Sequence, residues 1–84
     1  MEYVTVIWDL DDDPEGNVQH IVEHDLTKEE VEEVLANPER RSTSRSSGLP
    51  IVFGETSTGR YIAVVFREID SDTVKPVTAY EIDS

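Results

Sequence analysis

GRYIAVVFREI, residues 59–69, decides the fold. Tyr61 to Phe66 is an unbroken apolar run, apolar at both odd and even positions, so its strand is covered on both faces and belongs in the middle of a sheet. The same run falls far short of the roughly 20 apolar residues a membrane span needs, and it is the longest in the chain. No membrane partner is expected. On either side, Leu49 to Thr56 and Val74 to Ile82 read as further strands, joined to the central one at STG and DSDT, connections short enough for consecutive hairpins. Pro76 places the last strand at an edge or marks an irregular start, because proline cannot donate to a ladder.

Upstream, Tyr3 to Trp8 is β-branched and aromatic and predicts a strand covered on both faces. Residues 10–16, LDDDPEG, are turn chemistry. From Asn17 to His24 the apolar Val18, Ile21 and Val22 recur at helical spacing, while Asn17, His20 and His24 share another face. Thr27 followed by Glu30 is a capping box that starts a second helix. Its buried stripe is Val31, Val34 and Leu35, its wet side Glu29, Glu30, Glu32 and Glu33, and Asn37-Pro38 ends it. Residues 39–48, ERRSTSRSSG, have no apolar side chain and predict an exposed loop.

The expected order is therefore strand, helix, helix, strand, strand, strand. Helices segregated from a run of hairpin-linked strands predict one α+β domain, residues 1–84, with the helix pair packed on one face of an antiparallel sheet. The expected core is Trp8, Val18, Ile21, Val22, Val31, Val34, Leu35, Val52, Ile62, Val64 and Phe66.

Nineteen acidic against seven basic residues give a net charge of −12. Residues 1–39 hold thirteen of the acids and one base, Lys28, whereas the remainder is balanced. Such a field attracts basic partners and repels nucleic acid at long range, although salt confines it to about 8 Å. Solubility, or adaptation to high salt, is the plainer account of it. The absence of cysteine removes disulfides, thiolate metal sites and a thiol nucleophile. No leader precedes the first strand, so a cytoplasmic location is the default expectation.

Asp9 and Asp11 after an apolar strand look like a phosphatase nucleophile pair, but the chain lacks the length and strand–helix alternation of that doubly wound fold. The acids from Asp11 to Glu15 begin like a calcium loop, yet Val22 stands where the closing bidentate glutamate is required. His20 and His24, four apart, could face one metal ion; no third ligand accompanies them, and no metal site is expected. His24 otherwise suits proton transfer near neutral pH or a plain helix end. The planar forks of Arg40, Arg41, Arg45, Arg60 and Arg67 suit phosphate. Their alternative is local pairing with carboxylates.

Trp8-Asp9 after the first strand, Asn17 followed by Ile21 and His24, LTKEEVEEVLANP at residues 26–38, Gly59-Arg60 opening an apolar strand, and Thr78-Ala79 near the end together resemble the BrnT-type ribonuclease toxins of bacterial toxin–antitoxin pairs. The resemblance implies a RelE-like fold and RNA cleavage without metal or cofactor, by attack of a 2′-hydroxyl on the adjacent phosphate. Such a site needs a proton acceptor, a proton donor and positive charge on the phosphorus oxygens. It implies His24 for proton transfer, Arg60 to hold the phosphate, and Tyr80 as a proton donor where the family closes with arginine. Asn17, His20, Arg45 and Arg67 would bind substrate. Gly16, Glu23 and Asp25 stand where the family tends to carry lysine and glycine, which removes positive charge from an RNA site. The implied partners are RNA and an antitoxin-like protein, with a homo-oligomer left open. An acidic, non-catalytic module that binds a basic protein is the alternative.

Overall fold

The computed structural model describes residues 5–82. In chain order the elements are β1 (Thr5–Val6), α1 (Asn17–Glu23), α2 (Lys28–Ala36), β2 (Arg40–Thr43), β3 (Pro50–Glu55), β4 (Tyr61–Asp70) and β5 (Thr73–Glu81). They form one five-stranded sheet in the order β1-β5-β4-β3-β2. β2 to β5 are an antiparallel meander, and β1 joins β5 in parallel, so the sheet is mixed rather than purely antiparallel.

The apolar run of β4 occupies the centre. Ile62, Val64 and Phe66 face the helices, where they meet Ile21, Leu26, Val31, Val34, Leu35, Val52, Val74 and Ala79. Ala63 and Val65 face the other way and are buried beside Ile51, with Leu49, Phe53, Val77 and Ile82 packed around them. The double-faced burial read from the sequence thus has two different causes, a helical layer on one side and cross-strand neighbours on the other.

Four expectations change. Residues 39–48 are not all loop, because Arg40–Thr43 pairs with β3 from Arg40↔Phe53 to Thr43↔Pro50. All four β2 side chains are exposed on an edge strand, so pairing leaves no apolar alternation to read. Val22 is 55% exposed rather than core. In the short α1 the inward face is set by Val18 and Ile21, one turn apart, and the chain then reverses so that Leu26 fills the next position, its N–H on the Ile21 carbonyl. Glu30 is buried instead of wet. The first strand is short and lies at an edge, with Thr5 exposed; Tyr3 and Val4 lie outside the described residues. Trp8 is half-buried against the core and donates its indole N–H to Glu32 at 2.8 Å.

α1 is fastened to the sheet by a polar joint. Its N-cap, Gly16, has no side chain to accept the first helical N–H, and Asp9 does so from across the turn, Asn17 N to Asp9 Oδ2 at 2.9 Å. Only glycine fits there, since a Cβ on residue 16 would lie 2.8 Å from the Asp9 Cβ. Asn17 answers by accepting the Asp9 N–H at 2.8 Å, while its amide donates to the carbonyls of Ile7 at 3.0 Å and Pro76 at 2.9 Å. One buried amide therefore ties β1, α1 and β5 together. Pro76 sits where the β4–β5 register slips, beyond the two residues that β1 covers.

Replacing Asn17 by alanine strands two carbonyls and one N–H in the interior. A loss of about 3 kcal/mol in urea unfolding is expected from such unmet groups. A loss below about 1 kcal/mol would show that the joint is dispensable.

Candidate functional site

Arg60, at the threshold of β4, lies at the meeting point of four segments. Its backbone N–H is held by Thr56 Oγ1 at 3.2 Å, which closes the β3–β4 turn and aims the side chain toward the helices. Nη1 donates to the Asp25 carbonyl at 2.7 Å and to both Glu30 oxygens at 3.4 and 3.5 Å. Nε and Nη2 donate to Glu81 Oε1 at 3.3 and 3.1 Å. The first and strongest influence on the guanidinium is the hydrogen bond to Glu81, and its pKa is raised further above an already high value.

Glu30 performs two tasks. As the third helical residue after Thr27 it closes the expected capping box, Glu30 N to Thr27 Oγ1 at 3.2 Å and Thr27 N to Glu30 Oε1 at 3.1 Å. Its other oxygen accepts from Thr58 Oγ1 at 2.8 Å. Burial works to raise its pKa, but the bonds from Thr58 and Thr27 and the charge of Arg60 outweigh burial and hold it below 4.5.

His24 caps the C-terminal end of α1 and is exposed. Its ring lies against Tyr80, centroids 6.2 Å apart and planes tilted by 55°. Asp25, the next residue, has φ of 62°, a left-handed conformation that costs most side chains about 1 kcal/mol or more and that the Arg60 bond to its carbonyl helps to hold. Of the three residues the resemblance singles out as catalytic, His24 and Tyr80 meet. Arg60 is held instead by their chain neighbours Asp25 and Glu81. Tyr80 and Glu81 are adjacent in β5 and so point to opposite faces of the sheet.

The corner around Arg60 does not present free positive charge. The cleft beside Arg60, about 390 Å³, is lined by Asp25, Glu29, Glu30 and Glu33 with Ser57 and Thr58. A second cleft of about 610 Å³ has Glu39, Glu55 and Glu81 against one cation, Arg40. An anion approaching either meets more carboxylate than guanidinium, and at short range in a partly desolvated cleft that repulsion is strong. Electrostatically the corner suits a cation.

The residues expected to bind substrate divide. Asn17, His20 and Arg67 line one cleft of about 210 Å³, together with Asp9 and Lys75. Asn17 is spent on its structural joint, and His20 Nδ1 is tied to the Val77 carbonyl at 3.1 Å. Arg45 is exposed in the β2–β3 turn and makes no bond with a described residue. Arg40 covers the Phe53 ring at 5.6 Å. His20 and His24, with separate partners, do not converge on one ion, and no group of three or more acidic or imidazole ligands gathers among the described residues. Among those residues no helix is long and apolar enough to cross a membrane.

Sequence reasoning missed Asp9, Glu30 and Glu81. Asp9 also pairs with Lys75 at 3.1 Å; the Asn17 N–H and the Lys75 ammonium hold its pKa below 3.8 against the opposing effect of burial. Glu30 carried a signal in the capping box, but its second role depends on a loop twenty-eight residues away. The chain matches no family model, no curated protein and no solved structure in the comparisons made.

Because Glu30 has a folded pKa below its ordinary value, its contribution to stability is complete above about pH 4.5 and is lost as pH falls through the lower folded value. Glu30→Gln should therefore lower the urea midpoint near neutral pH, with the gap from the native protein narrowing as pH falls below the ordinary carboxylate range. A gap that stays constant with pH would contradict the assignment.

Proposed function

We propose that this chain is a BrnT-like protein of RelE-like architecture that works by binding a basic, antitoxin-like protein and does not cut RNA. The observation that carries the proposal is the state of Arg60. A ribonuclease of this kind needs that guanidinium on the phosphate as negative charge builds, and here Glu30, Glu81 and the Asp25 carbonyl take its donors. Releasing it would leave Glu30, itself buried, without its counter-charge, a costly exchange.

The element order supports the family reading, as does Asp25, whose left-handed φ suits glycine and which occupies a position where the family tends to carry lysine or glycine. The same acids that deter RNA favour lysine and arginine side chains. Asp25, Glu29 and Glu33 rim one cleft, and Glu39, Glu55 and Glu81 rim the other. Exposed charges at such a rim govern association rate and salt dependence more than final affinity.

One observation favours ribonuclease activity as a second reading. The His24–Tyr80 ring contact places a proton acceptor beside a proton donor.

Two measurements separate the readings. The purified protein incubated with single-stranded RNA should leave it intact, and its expression should not arrest bacterial growth. A lysine- and arginine-rich peptide should bind, losing at least about tenfold in affinity between low and roughly 0.3 M salt, and Glu29→Gln with Glu33→Gln should weaken it. Growth arrest relieved by His24→Ala or Arg60→Ala would overturn the proposal in favour of the nuclease.

A further inference from the structure

Beyond the acidic corner, Arg67 is a cation whose side chain has no partner among the described residues. In the β4–β5 ladder Arg67 stands directly opposite Lys75. Like charges facing across a strand pair destabilise it. Lys75 is compensated by Asp9 at 3.1 Å. Arg67 is not, for its side chain makes no hydrogen bond or ion pair with any described residue. Both side chains line the cleft of about 210 Å³, where β5 takes its register shift and the His20 ring, fixed by the Val77 carbonyl, forms a wall. β-bulges of this sort commonly re-aim side chains beside functional sites.

We propose that this cleft binds a singly charged oxyanion, a carboxylate or a phosphodiester, held by the fork of Arg67 with Lys75 as the second donor. The planar guanidinium matches two oxygens of either group. An oxyanion bridging Arg67 and Lys75 removes the cross-strand repulsion that the protein alone leaves in place. Lys75 can share its three donors between Asp9 and the ligand. The single charge follows from the walls: Asp9 and Glu15 also line the cleft, and a doubly charged group would meet their carboxylates without enough positive charge to offset them. The site shares no residue with the acidic corner, so it stands or falls separately from the function proposed above.

The test is a nuclear magnetic resonance titration of the whole chain, following backbone amides and arginine Nε–H signals at constant ionic strength. Acetate and dimethyl phosphate serve as separate probes, with chloride as the control. Saturating shifts centred on the Arg67 Nε–H and the amides of Lys75 and Val77 are expected with at least one probe and not with chloride. Arg67→Ala should weaken that binding about tenfold or more. Its spectrum should stay folded, since the side chain is exposed and its removal relieves repulsion. A tighter response to acetate identifies the ligand group as a carboxylate, and one to dimethyl phosphate as a phosphodiester. Absence of saturating shifts at Arg67 with both probes, or the same response in Arg67→Ala, overturns the proposal.

Discussion

The guanidinium of Arg60 joins the start of β4, the turn between the helices, the first turn of α2 and the end of β5. One of the groups it holds, the buried Glu30 carboxylate already committed to a helix cap, would be costly to leave unpaired. The carbonyl of left-handed Asp25 and the half-exposed Glu81 carboxylate are fixed in place by the same fork. The arrangement is closed, with each member explaining the position of the next. In the function we propose its consequence is subtractive, because a positive group held by carboxylates of its own chain must leave them to take an incoming phosphate.

A similar economy governs the opposite end of α1. That helix has only seven residues and no side chain of its own at its N-cap, so it would be marginal in isolation. Asp9 supplies the missing cap and Asn17 returns the bond, while the Asn17 amide reaches two strands. The residues that suggested a family by their pattern, Trp8-Asp9 and Asn17, thus prove to be a structural joint. They position α1, which carries His20 and ends at His24, with His20 on the Val77 carbonyl and His24 on the Tyr80 ring.

Much of the architecture was legible in the sequence because apolar periodicity reports burial. The central strand, both helices and the hairpin strands follow from it, and the capping box follows from Thr27 and Glu30. β2 was not legible, since RRST pairs through its backbone at an edge and carries no apolar side chain. Val22 was misplaced because a seven-residue helix gives too few turns to fix the phase of its buried stripe. The site was only half legible. The family pattern singled out His24, Arg60 and Tyr80, of which His24 and Tyr80 meet, but whether Arg60 faces a ligand or a carboxylate depends on Glu30 and Glu81, which are distant in the chain and unremarkable by type. The cross-strand opposition of Arg67 and Lys75 likewise depends on a register that no local pattern encodes.

The central claim is that the Arg60 guanidinium is engaged within its own fold. It is tested most directly by the Nε–H and Nη signals of Arg60, recorded with and without single-stranded RNA. The account predicts resolved, slowly exchanging signals that do not move when RNA is added and that collapse in Glu30→Gln. Rapidly exchanging, averaged signals, or signals that shift on adding RNA, would contradict it and return Arg60 to the phosphate.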